Sequence, residues 1–424
     1  MKRRMISFML VMCLVILSVG CGAKKDDSKA KEVTLNYYSH VDENGTLTKI
    51  INAFQEKNPT IKVNVVELPA DTNKKLQMIS TALQAEDDSL DMFDADVTWP
   101  SIFASAGWVL DLTDELTKEE KDKYLPGALN ANIYEGKLWG LPYRIDAGML
   151  YYRKDLLEKY NKPVPETWDE LVQTATYIME KEPEMKGLAG SWKQYEGLTC
   201  NLMEYVWSYG GDVFDEDGKV IYHSPETVQA TQMMVDMINK SKIAPEGIIN
   251  FGSGDARAPF FAGKLVFLRD WPSGWSKSQA PDKSQVVDKV GIAQLPKATK
   301  EGKSYSTLGG WQIMVSKFSK HEKEAVKFAK FMAGEEAEKI EALGLSHLPS
   351  IKSLYEDQDI LESMPFVEKM LPVFLNANPR PKSPYYAEIS NVLQLQTQKA
   401  FIGEKTAEDA VKDAENDIKK IIGQ

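Results

Sequence analysis

The sequence predicts an α/β protein in two lobes, with the chain interleaved between them. Three observations predict this. The opening third alternates short β-branched runs with helix-patterned stretches, the signature of a parallel sheet with crossover helices. The chain has 424 residues, more than one hydrophobic core usually supports. No single linker divides it in half, so two lobes require the chain to cross between them more than once.

Residues 33–38 (VTLNYY) read as the first strand, and Leu47, Ile50, Ile51 and Phe54 give residues 47–57 a helical stripe. Asn58-Pro59 ends that helix before a second strand at 61–68. A helix around 76–85 leads to a third strand at 89–97, then a helix at 102–108. A fresh strand is expected at 148–155. Thr167 and Glu170 have capping-box spacing and start a helix through 181. Helices follow at 199–209 and 225–240, separated by a hairpin-like turn at Asp217-Gly218. Strands are expected at 265–270, 291–295 and 311–315, and an amphipathic helix at 321–332. The chain from 351 on is helical except for the Pro-rich stretch 378–384.

The first twenty residues read as a leader. Lys2, Arg3 and Arg4 precede an uncharged run at 5–19, too short to span a bilayer as a mature helix. Ser18-Val19-Gly20-Cys21 resembles a bacterial lipoprotein signal, which implies a lipid on Cys21. Ser18 stands where leucine is commoner, and an ordinary signal peptide is the alternative. Residues 22–31 (GAKKDDSKAK) have nothing to bury and read as a flexible tether. Without the leader's three cations the formal charge of −11 becomes −14 for residues 21–424, which argues against nucleic-acid partners. With Cys13 in the leader and Cys21 taken by the lipid, the mature fold keeps one cysteine, Cys200, in an apolar stretch that marks it as core. The four histidines lack ligand spacing, so no metal or other cofactor is expected.

Several segments, in order, carry a family resemblance: 52–59 (NAFQEKNP), 94–99 (DADVTW), 106–112 (AGWVLDL), 136–142 (GKLWGLP), 151–157 (YYRKDLL) and 167–171 (TWDEL). With 270–272 (DWP), 309–311 (GGW) and 380–386 (RPKSPYY), the chain from about 33 to its end resembles extracellular sugar-binding lipoproteins of ABC importers. These are family 1 solute-binding proteins, and the later segments are similar to the trehalose/maltose-binding subgroup. The resemblance implies a periplasmic-binding-protein-like fold of type II: two lobes with mostly parallel sheets, joined by hinge strands and closing on ligand. The expected boundaries are 1–20 signal peptide, 21–32 tether, 33–145 plus about 303–345 for one lobe, and 146–302 plus about 346–424 for the other. It further implies a sugar ligand, permease subunits as partners, membrane attachment through the lipid, and a monomer.

A pyranose needs carboxylates or amides for its hydroxyls and aromatic faces for its C–H surfaces. Trp271 follows a strand and precedes Pro272, a strand-end position where α/β sheets place ligands. Trp311 follows Gly309-Gly310, which allow close backbone approach; the resemblance carries over Gly310 and Trp311 as contacts. Trp99 lies past the strand bearing Asp96 and reads equally as contact or core, while Trp108, Trp139 and Trp168 read as structural. By resemblance Glu43, Asp71, Thr72, Asp96 and Asp146 match hydroxyl-binding positions; for Asp96 and Asp146 the alternative is a helix cap or salt bridge. Arg380 either binds hydroxyls or holds a cleft carboxylate. Arg144 stands where the subgroup often has an aromatic, so it is a candidate contact that leaves the sugar open. Carboxylates beside aromatics also describe a glycosidase, and related lipoproteins bind solutes such as glycerol phosphates.

Overall fold

The computed structural model describes residues 32–424; the leader, most of the tether and Cys21 lie outside them. The strands are β1 (Val33–Ser39), β2 (Ile61–Glu67), β3 (Met92–Asp96), β4 (Ile133–Tyr134), β5 (Lys137–Leu138), β6 (Leu141–Ala147), β7 (Met149–Arg153), β8 (Lys186–Ala189), β9 (Leu265–Asp270), β10 (Val290–Ala293) and β11 (Leu308–Val315). They form a five-stranded sheet, β2-β1-β3-β11-β6, and a four-stranded sheet, β10-β7-β9-β8, with β4-β5 apart. These two sheets, each faced by helices, are the cores of two lobes.

The opening strands pair in parallel, β1 between β2 and β3, as the strand–helix–strand alternation predicts. β11 lies antiparallel between β3 and β6. In the second sheet β7 is antiparallel to both neighbours, and only β8 and β9 are parallel. Both sheets are thus mixed where mostly parallel ones were expected. The reason is the path of the chain: β6, β7 and β11 flank the crossings between lobes and join their sheets without a crossover helix, which only parallel pairing demands.

Local chemistry positions the helices that face the cleft. Thr46–Lys57 buries Leu47, Ile50, Ile51 and Phe54, the stripe seen in the sequence. Thr72–Gln84 begins four residues earlier than expected because the Asp71 side chain accepts from the Asn73 and Lys74 N–H groups, satisfying donors that a helix start leaves free.

Three crossings join the lobes. Between β6 and β7 stands only Gly148, whose Cβ would lie 2.0 Å from Glu204 Oε1 and 2.4 Å from Arg269 Nη2. A side chain there would split the buried Glu204–Arg269 pair, so the hinge position requires glycine. The chain returns ahead of β11. Helices Glu335–Leu345 and Val367–Leu375 pack on β6, whereas Tyr386–Phe401 packs on Glu196–Tyr209 and Pro225–Asn239 in the second lobe. The third crossing therefore falls in the stretch 376–384 rather than near 345. Leu348, Ile351, Leu354 and Met370 are apolar and buried, and they hold residues 346–375 to the first lobe.

Candidate functional site between the lobes

A cavity of about 540 Å³ lies between the two sheets, lined by residues from both. Its floor is charged and fixed. Asp94 on β3 is fully buried and accepts from the hydroxyls of Tyr37, Ser39 (2.7 Å) and Tyr143 (3.1 Å), from the His40 N–H and from the His40 ring (2.6 Å). Burial alone would raise its pKa, but His40 and the hydroxyl donors outweigh it and hold the carboxyl well below its usual range. His40 is itself pushed down to about 4 by burial and by Lys75, so it is neutral at pH 7. Its Nδ1–H then donates to Asp94, and its Nε2 accepts from Arg144 Nη2 at 3.0 Å.

Arg144 also donates to Glu341 at 2.7 Å and lies 2.5 Å from His347. Its charge is spent on a clamp that ties β1, β6 and helix Glu335–Leu345 together, although it lines the cavity. Arg380 has a similar task. It donates to Asp96 at 3.0 Å and to Glu196, which also accepts from Tyr386 and from Ser390 at 2.6 Å. Asp96 takes the Thr98 N–H, the Thr98 hydroxyl and Arg380 all on Oδ1. Arg380 thus holds a cleft carboxylate, one of the two roles its sequence position allowed.

Asp146 is different. It is buried in the cavity wall, and its Oδ1 has no partner among the described residues. Burial raises its pKa to about 7 against the pull of Arg144 and Arg257. An unpaired buried carboxylate oxygen is costly unless a ligand supplies the donor. Trp271 closes the space beside it. A Cβ on Gly309 would meet Trp271 Cζ3 at 2.9 Å and Asp146 Cβ at 3.1 Å, so the indole reaches from the second lobe onto bare backbone next to that carboxylate. Arg269 covers the Trp271 ring at 4.0 Å.

Gly310 has φ +137°, and its Cβ would lie 2.7 Å from the Arg144 carbonyl oxygen; only glycine fits there. It sits beside the irregularity between Trp311 and Gln312, which aims Trp311 into the cavity. Lys75 Nζ stands 4.5 Å over the Trp311 ring, and the His40 ring meets its edge at 4.1 Å. Burial lowers the Lys75 pKa to about 8.

Of the candidates from sequence, Glu43, Asp71, Thr72, Asp96, Arg144, Asp146, Trp271, Gly310, Trp311 and Arg380 line this cavity. Glu43 and Asp71 stand at its rim, where they meet Lys277 (2.7 Å) and Lys193 (3.4 Å) of the second lobe. Trp99 does not reach it. That ring is 2 % exposed and packs edge-on to Phe103 and Trp311, because Pro100 starts a helix that folds it inward. Sequence reasoning missed His40, Lys75, Glu196, Arg257, Glu341 and His347. The available signal for His40 was its place one residue past β1. Cys200 is core, its thiol pushed up to about 12 by burial.

The model of the family described as bacterial extracellular solute-binding protein matches residues 39–339. A Deinococcus radiodurans protein named a probable ABC transporter-binding protein is 33% identical over 372 residues, covering 85% of this chain and 87% of its own. The maltose-bound structure of T. maritima MalE3 is 37% identical with a TM-score of 0.88, covering 92% of this chain and 100% of the other. The arabinooligosaccharide-binding protein of Bacillus subtilis is 25% identical over 354 residues, covering 79% and 77% of the two chains.

Proposed function

Because the chain belongs to the bacterial extracellular solute-binding proteins, we propose that it is the substrate-binding lipoprotein of an ABC carbohydrate importer. It captures a di- or oligosaccharide between two closing lobes and hands it to the permease subunits. The observation that carries this reading is Asp146: a buried carboxylate with an unpaired oxygen, set beside Trp271 over Gly309. Two adjacent sugar hydroxyls supply the donors that the carboxylate lacks, and the indole covers the C–H surface. A sugar that touches both Asp146 on β6 and Trp271 after β9 bridges the lobes and stabilises their closed arrangement. Similarity to a maltose-bound structure and to a protein named for arabinooligosaccharides supports the ligand class.

A lipid on Cys21 tethers the monomer to the outer face of the membrane, close to the permease. The raised pKa of Asp146 also suits the general acid of a glycosidase, but its place at a hinge strand favours capture without turnover.

A thermal-shift screen against di- and oligosaccharides, followed by calorimetry and analysis of the recovered sugar, tests the reading. The expected result is saturable binding with the saccharide returned intact. Absence of binding across the panel, or release of monosaccharide, overturns it. Cys21→Ser is expected to move the protein from the membrane fraction to the medium; retention would remove the lipid from the proposal.

A further inference from the structure

The cations that line the cavity are paired, with one exception. Among the described residues Arg144, Lys193, Arg257, Lys277 and Arg380 each meet a carboxylate at 3.4 Å or less. Lys75 lines the same cavity and is 4% exposed, yet it has neither a carboxylate partner nor a hydrogen bond among these residues. We propose that the ligand supplies the missing charge: the saccharide carries a carboxylate, as a uronic acid does, and this group binds Lys75 beside Trp311. The inference deepens the sugar-binding reading, rests on it, and narrows its ligand from any saccharide to an acidic one.

Nothing in the fold itself calls for a cation at this place. Lys75 is the fourth residue of helix Thr72–Gln84, where a positive charge works against the helix dipole. Burial without a counter-charge costs more. The face of Trp311, 4.5 Å from Nζ, attracts the ammonium but brings no net charge to balance it. Asp94 acts on Lys75 more strongly than any other carboxylate, but its oxygens are taken by Tyr37, Ser39, Tyr143 and His40. Asp96 acts on it next and is held by Arg380. One ligand carboxylate balances one ammonium, whereas a phosphate dianion would bring a second charge toward Asp94 and Asp96. The spacing suits a small saccharide. Gly309 is the register partner of Asp146 on β6, and Trp311 stands two residues along the same strand, roughly 7 Å away. A disaccharide can therefore offer hydroxyls to Asp146 at one end and its carboxylate to Lys75 at the other.

The test is calorimetry with pairs of disaccharides that differ by oxidation of primary hydroxyls to carboxylates. The pairs are cellobiose and cellobiouronic acid, maltose and its glucuronosyl analogue, and α-1,4-galactobiose and digalacturonate. They are titrated into the wild type, Lys75→Met and Lys75→Arg. In the wild type the acid of at least one pair is expected to bind roughly tenfold more tightly than its neutral parent, the gain from exchanging a neutral for a charge-assisted contact. Lys75→Met keeps an apolar stem over Trp311 without the charge, so the ratio of acid to parent affinity should fall to about one. Lys75→Arg keeps the charge and should retain most of the ratio. Neutral parents that bind as tightly as their acids in every pair, or a preference that survives in Lys75→Met, overturn the proposal while the sugar reading stands. If neither variant folds, the wild-type ratio alone decides. Failure of every saccharide to bind, neutral or acidic, overturns both.

Discussion

At the floor of the cleft the charged groups are buried and bonded to one another, whereas at its rim they stand in water and meet across the gap. Asp94 receives donors from Tyr37, Ser39, His40 and Tyr143, all within the first lobe. The Glu43 and Lys277 side chains at the rim are 54% and 32% exposed and come from different lobes. Trp275 joins the same rim, donating to the Ser363 carbonyl at 3.0 Å and packing edge-on to Phe366. Around Asp94 the floor is organised within one lobe, so a ligand need not order that part of it. That arrangement favours affinity through preorganisation. The rim contacts form only when the lobes approach, so they act on closure, and salt screens them.

Asp146 is where the floor departs from its own rule, and replacing it is expected to have the largest effect. Asp146→Ala removes an acceptor for two hydroxyls at 1.5–3 kcal/mol for each charge-assisted bond, so affinity should fall by about a hundredfold or more. Stability should move the other way. The carboxyl's pKa is raised to about 7, so between the ordinary carboxylate range and pH 7 the folded state holds a proton that the unfolded chain has released. The ligand-free protein therefore loses stability as pH rises through that window, and the loss is complete above it. Asp146→Asn should flatten that slope and raise the melting temperature at pH 8. A melting temperature that drops with affinity in both variants would make Asp146 a structural residue.

How much of this was legible in the sequence follows the same division. Helix Thr46–Lys57 was legible because only one face is buried, and the Asp217-Gly218 turn because Gly218 has φ +77°. Strand β6 was not legible: all seven of its residues are buried, which erases the period-2 alternation that marks a strand. Asp146, Trp271 and Trp311 stand beside glycines or strand ends, which are local signals. Lys75 and Glu196 carry none; helical periodicity hides Lys75, and Glu196 precedes the apolar run by which its helix was located. The partners of Glu43 and Asp71 were equally hidden, since Lys193 is 122 residues from Asp71 and only the folded chain brings them together.

Trp271→Ala comes next in size. Truncating a buried aromatic anchor costs on the order of 1–3 kcal/mol of binding, less than loss of the carboxylate because Arg269 and the Gly309 backbone keep part of the wall. Calorimetry should show weaker binding with the melting temperature of the ligand-free protein little changed. Unchanged affinity would reduce the ring to a cover for Arg269, which lies 4.0 Å from it. That result would leave Trp311 as the aromatic face of the cleft and move the ligand toward Lys75.

The smallest effect belongs to the rim, and it differs in kind. Lys277→Ala removes the partner of Glu43 at 2.7 Å, an exposed pair worth roughly 0.2–1 kcal/mol. Since the pair spans the lobes, its loss should appear as faster ligand release at an unchanged association rate, a few-fold at low salt. In the wild type the release rate should rise with ionic strength toward that of the variant, because a Debye length of about 3 Å at 1 M salt screens the pair. Glu43→Gln should reproduce the change, and combining the two should add little, as expected when both remove one shared contact. Stopped-flow release rates at low and high salt decide it. If Lys277→Ala and Glu43→Gln add fully, the pair does not join the lobes in solution, and Glu43 returns to the ligand as the direct contact its sequence position suggested.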